Sequence, residues 1–159
     1  LEALQYDADF WLRPEQKIWE GDQSWAITAV TSGRGWGKTR CASEWIRHKA
    51  MTEPGCVIAV AGRTAGDVRR VMVEGVSGIL AVHPEADRPE YKQQKATIYW
   101  KNGSKAELHS SEAPDSARGP QYHYTVGDEF AEERIVMGRN GIAGIGVAID
   151  ADAASTRAS

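Results

Sequence analysis

Net positive charge is missing from this chain. Its 22 acidic residues outnumber 19 basic ones, for a formal charge of −3, so no overall basic field announces a self-sufficient nucleic-acid binder. A part of a larger DNA-handling machine is not excluded. Cysteine is scarce too. Cys41 and Cys56 have no metal-ligand spacing, fall in a predicted helix and a predicted strand, and read as buried reduced thiols of a cytosolic protein. No apolar run approaches membrane-spanning length, and the opening stretch LEALQYDADFWLRPEQ carries acids where a signal peptide needs a basic region and an apolar core. A cytoplasmic protein with no membrane partner is therefore expected. There is no internal repeat, and no linker-like run divides the 159 residues, which suffice for one domain with a sizeable core.

What is present is an ordinary globular composition, 42% hydrophobic and 26% charged, together with one unusual stretch. Residues 31–40 read TSGRGWGKTR, with glycine at every second position before a closing Gly-Lys-Thr. An apolar run, Trp25 to Val30, precedes it, and Cys41, Ala42, Trp45 and Ile46 follow at helical spacing. A Gly-rich turn between strand and helix is a phosphate-binding loop in the making, because N–H groups at a helix N-terminus point outward and carry partial positive charge. Gly33, Gly35 and Gly37 allow a close wrap with unusual backbone angles. Lys38 is placed to reach the outer phosphates of ATP, and the Thr39 hydroxyl to ligate Mg²⁺. The usual pattern G-x-x-x-x-G-K-[ST] begins with glycine; here that place is Ser32. The bland alternative is a Gly-rich turn with a solvated lysine.

Further along, CVIAVAG (56–62) is predicted to be a buried strand. Residues 64–83 are predicted helical, with Thr64 and Asp67 as a capping-box-like start, a stripe of Val68, Val71, Met72, Val76, Ile79 and Leu80, and Pro84 as the stop. TIYW-KNGS-KAEL (97–108) predicts a hairpin, with Asn102-Gly103 in a turn that takes positive φ at both central residues. YHYTVGDEF (122–130) predicts a strand ending in two acids. Strand, helix, strand, helix, hairpin, strand predicts an α/β fold with a mostly parallel central sheet flanked by helices.

Hydrolysis needs more than a phosphate loop. A carboxylate must hold Mg²⁺ and another group must position the attacking water. Asp128 and Glu129 stand at the carboxyl end of a strand, where α/β sheets gather their ligands; Asp128 suits the metal and Glu129 the water. A solvated acidic pair is the alternative. The histidines, His48, His83, His109 and His123, lack metal-site spacing and read as surface or structural residues. Trp25, Trp45 and Trp100 read as core, and Arg63, Arg69 and Arg70 as a basic cluster that either meets DNA phosphates or is merely solvated.

As a set, RPEQ (13–16), GRGWGKTR (33–40), GRTAGDVRRVMVEG (62–75), EAPDSARGPQYH (112–123) and GDE (127–129) resemble the large terminase subunits of tailed bacteriophages and prophages, over about residues 10–130. The resemblance implies a P-loop NTPase of the additional-strand, catalytic-glutamate type. It implies an ATPase that drives double-stranded DNA into a procapsid in the host bacterial cytoplasm. The expected partners are the portal protein, the small terminase subunit and further copies of the chain in a ring. The family's loop commonly lacks the first glycine and carries an arginine, which accommodates Ser32 and Arg34. By the same likeness Gln16 resembles the adenine-recognition glutamine, or is an exposed polar residue of a turn. Arg34 is expected to contact the γ-phosphate within its own subunit, with a solvated loop charge as the alternative, and Trp36 falls among the nucleotide-binding positions. Arg118 is either a finger for a neighbouring subunit's ATP or a structural arginine.

Beyond about Ala131 the likeness stops. The stretch from Gly138 onward is rich in Gly and Ala and ends in small polar residues, with Ala151 to Ser159 expected to be mobile. Neither a Thr-rich coupling strand nor a nuclease is visible. Related ATPases insert a later strand between the phosphate-loop strand and the acid-bearing strand; without it the sheet has a gap with unpaired backbone groups. The expected organisation is an incomplete ATPase domain over 1–130 and a divergent tail over 131–159. Either GIGVAID (144–150) supplies a substitute strand or the chain is truncated or frameshifted, and truncation is the favoured expectation.

Overall fold

A computed structural model of the chain describes residues 2–21, 24, 27–110, 121–128 and 134–139. Two single-turn helices, α1 (Glu2–Gln5) and α2 (Ala8–Trp11), lead to a 3-10 turn at Pro14–Gln16. Then follow β1 (Ile27–Thr31), α3 (Lys38–Thr52), β2 (Val57–Gly62), a short helix α4 (Ala65–Asp67), β3 (Glu90–Lys92), β4 (Thr97–Tyr99), β5 (Lys105–Ser110), β6 (Tyr124–Asp128) and β7 (Arg134–Arg139).

The strands form one seven-stranded sheet in the order β1-β7-β6-β2-β5-β4-β3. β2 pairs in parallel with both β5 and β6, and β1 runs in the same direction, so the fold is α/β with a parallel core flanked by helices. The expected gap between the phosphate-loop strand and the acid-bearing strand does not exist. β7 fills it, antiparallel to β1 (Thr31 opposite Arg134) and to β6 (Asp128 opposite Ile135), so the backbone groups of both neighbours are satisfied. The occupant is 134–139; the stretch 144–150 lies outside the described residues, as does Ala151 to Ser159.

One face of the sheet carries the core. Ile58 and Val60 of β2, Ala106 of β5, Val126 of β6 and Met137 of β7 meet Ala42, Trp45 and Ile46 of α3 and Val68, Met72 and Val73 beyond α4, all buried. These are alternate strand positions and a helical stripe, which is why a period of two and a period of 3.6 mark them in the sequence. Trp100 is buried with them, while Trp25 lies outside the described residues.

The predicted helix over 64–83 is not one helix. Thr64 does cap its start, accepting from the Asp67 amide at 3.1 Å, but Val68–Val73 is π-helical and the chain then turns back on itself. Ile79 donates to the carbonyl of Met72 at 2.7 Å. Gly75 makes the reversal possible, since a Cβ there would stand 2.5 Å from the Val71 oxygen. Val76 leaves the apolar stripe as a result and is 97% exposed. The predicted hairpin is present as β4–β5, but positive φ occurs at Gly103 and not at Asn102. Asn102 instead uses its side chain, donating to the Ala50 carbonyl at 2.7 Å and accepting from the Ser104 amide at 3.1 Å, which ties the turn to the end of α3.

Candidate nucleotide site

The strand-to-helix turn lies where the sequence puts it. β1 ends at Thr31, and Gly37 is the N-cap of the 15-residue helix α3. No side chain caps this helix, so its first-turn N–H groups and its partial positive charge face the loop, an arrangement suited to an anion. Gly35 and Gly37 have positive φ, +79° and +93°; Gly33 does not need it. Gly37 is constrained twice, because a Cβ there would also stand 2.9 Å from Nε2 of Gln16.

Lys38 folds back over the loop. Its ammonium donates to the carbonyls of Ser32 (2.5 Å) and Gly33 (3.0 Å), with the Ser32 hydroxyl at 3.4 Å. These neutral acceptors hold the charge at the loop's centre, where phosphate oxygens would replace them with stronger charge-assisted bonds. Arg40, one turn into α3, is committed elsewhere: it pairs at 2.7 Å with Glu44, whose side chain is 2% exposed and also accepts from Arg47.

The loop opens onto a cleft of about 680 Å³, lined by Arg34 to Arg40, by Arg70 and Val71, by Gly75 to Ser77 and by Asp128. That volume lies within the roughly 300–1,000 Å³ typical of small-molecule sites. Thr39 and Asp128 thus face one space although they come from α3 and β6. Asp128 is 8% exposed. Among the described residues no group of three or more His, Cys, Asp or Glu could cage a metal; a Mg²⁺ here would rest on Thr39 and Asp128 with phosphate oxygens and water, as that ion commonly does.

Gln16 is not an exposed polar residue of a turn. It is 4% exposed. Its carboxamide accepts from the Arg13 amide at 2.9 Å and donates to the Trp36 carbonyl at 2.8 Å, which leaves one N–H of the carboxamide. Arg13 donates to the same carbonyl at 3.0 Å and lies over the Trp36 ring, 5.3 Å from its centroid. RPEQ is therefore joined to the loop. No local pattern marks Trp36 as the point of attachment, or Arg70 and Ser77 as lining the cleft. Glu129 and Arg118 lie outside the described residues.

The histidines serve the scaffold. His83 sits between the Ile79 carbonyl (2.7 Å) and the Trp100 indole N–H (3.0 Å), His109 bonds Tyr122 at 2.8 Å, His123 accepts from the Val57 amide at 3.0 Å, and His48 stacks on Trp19. Burial pushes the Cys41 thiol up to about 12, which keeps it protonated beside the loop. Among the described residues no helix is long and apolar enough to cross a membrane.

The fold and the sequence each have a counterpart among known proteins. The chain is similar in structure to the Thermus phage P74-26 large terminase ATPase domain, with a TM-score of 0.53 and 17% identity over 80% of this chain and 59% of that one. At that identity the likeness speaks for the fold. No curated protein gives a significant sequence match. The sequence model of the family described as terminase large subunit, T4likevirus-type, N-terminal, matches residues 30–134, a span that opens at the end of β1 and closes at the start of β7. The chain belongs to the family of terminase large subunit ATPase domains.

Proposed function

We propose that the chain binds ATP with Mg²⁺ at the turn between β1 and α3 and hydrolyses it, as the ATPase part of a motor that moves double-stranded DNA into a procapsid. The observation that supports this most is the shared cleft: Lys38 and Thr39 of α3 and Asp128 of β6 line one space. Bound Mg²⁺ would neutralise charge on the phosphates. The chain's own residues supply the rest. First-turn N–H groups of α3 and Lys38 hold phosphate oxygens, Arg34 adds a second charge from within the loop, and Glu129, following Asp128, orients the attacking water.

In this reading Arg118 serves a neighbouring copy in a ring, with the portal protein and the small subunit as further partners in the host cytoplasm. The ATPase unit is assigned to 1–130 together with β7, which completes its sheet. Gln16 supports the loop through Trp36, and adenine recognition falls to the remaining N–H of its carboxamide. Isothermal calorimetry tests the reading. Lys38→Ala should abolish Mg²⁺-dependent ATP binding with the fold retained; unchanged affinity would overturn it.

A further inference from the structure

Four cationic side chains line the cleft, and they differ in what holds them. Lys38 is bound to loop carbonyls, Arg40 is locked onto buried Glu44, and Arg34 belongs to the loop itself. Arg70 alone of the four comes from outside the loop and α3. It stands on the π-helical turn after α4 and lines the same cleft as Thr39. Its Nη2 donates to Asp67 Oδ1 at 2.7 Å, and its side chain is 77% exposed.

An exposed pair of that kind contributes little to stability, because water screens it and two side chains must be ordered. A guanidinium gains more from a phosphate, through two parallel charge-assisted bonds. The wider π-helical turn matters here, since such turns displace side chains from the regular helical positions and recur at functional sites. The end of the nucleotide that Arg70 would meet follows from its neighbours. Asp128, the metal-holding residue of the proposed site, lines the cleft together with Arg70, whereas Gln16 and Arg13, which hold the loop through the Trp36 carbonyl, do not line it.

We propose that Arg70 binds the terminal phosphate of the nucleotide from within the same chain, with Asp67 as its resting partner. The assignment rests on the nucleotide-site reading given above. Asp67 is itself held by the Thr64 hydroxyl at 2.8 Å, so it stays in place when the arginine leaves.

The test is a fluorescence titration of the whole chain with methylanthraniloyl-labelled ADP and a labelled non-hydrolysable ATP analogue, each with Mg²⁺. Arg70→Ala and Arg70→Gln should weaken the triphosphate by about tenfold or more and leave the diphosphate within about twofold. Asp67→Asn, which releases the arginine, should hold or improve triphosphate affinity. Equal losses for both nucleotides, or no loss, would overturn the role of Arg70. Lys38→Ala separates the two levels of the argument: loss of both nucleotides in that variant upholds the site, whatever Arg70 does, while unchanged binding of both removes the site and this proposal with it.

Discussion

The Gln16 carboxamide donates to the Trp36 carbonyl at 2.8 Å while Arg13 donates to the same oxygen at 3.0 Å, so the segment before β1 sets the conformation of the phosphate loop after it. A carbonyl turned outward by two donors is one that Gly37, with φ of +93°, can follow into the helix. Gln16→Ala should therefore cost about 1–3 kcal/mol of stability through unpaired buried groups, and weaken ATP more than GTP because the loop support and the proposed adenine contact are lost together. Calorimetry with both nucleotides checks this. Equal loss of both would leave Gln16 the loop support alone.

Asp128 and Glu129 should separate in their effects. Asp128→Asn removes the β6 carboxylate that lines the cleft together with Thr39 and should weaken the Mg²⁺-dependent part of ATP binding. Glu129→Gln should keep ATP bound and abolish whatever turnover the chain has. Phosphate release measured beside binding distinguishes the two; turnover equal to the parent in Glu129→Gln rules that residue out as the water-positioning group.

Without a neighbouring copy, turnover should be slow. An arginine supplied in trans is worth about 10³ or more in rate, and Arg118 can act so only in an assembled ring. Turnover per chain should rise with protein concentration, and Arg118→Ala should flatten that rise. A per-chain rate independent of concentration, and unchanged in the variant, would leave Arg118 a structural role.

His83 predicts a pH dependence. Burial drives its imidazole down from 6.5 to about 4, against a smaller upward pull from the Ile79 carbonyl. The folded state thus holds the neutral ring. The unfolded chain takes up a proton first as pH falls, so the contribution is complete above about pH 6.5 and is lost between there and pH 4. The shift corresponds to about 3 kcal/mol. Urea unfolding at pH 7 and pH 4 should show that loss, and His83→Asn, which can still accept from Trp100 and donate to Ile79, should lack this part of the slope.

A chain ending at residue 130 should neither fold stably nor bind nucleotide. It lacks Met137, which is fully buried in the core, and leaves the inner edges of β1 and β6 unpaired. Circular dichroism melting with a nucleotide titration checks this; a cooperative melt with parental affinity would show β7 to be dispensable.

Much of the site was legible because its chemistry is local. The glycines, Lys38, Thr39 and the acid of β6 each act through residue type and the element they end, and both periods of the core, as at Val60 and Ile46, can be counted along the chain. The rest depends on contacts that no short window contains. Val76 looked apolar and inward by spacing, yet the reversal at Gly75 turned it out. Arg70 looked like a surface charge until the fold brought it to the cleft that the loop lines. β7 was hidden most of all, since its residues are ordinary and its role comes from lying between two strands that precede it.

That placement orders events during synthesis. Among the described residues β1 has β7 as its one strand neighbour, and Thr31 waits for Arg134, on the order of a hundred residues later, so closing that pair is the costliest loop in the sheet. At translation rates of about 5–20 residues per second, β1 emerges from the ribosome some seconds before its partner exists. The nascent chain should therefore carry the phosphate loop on an undocked strand, and acquire affinity for nucleotide only when residue 139 has cleared the exit tunnel.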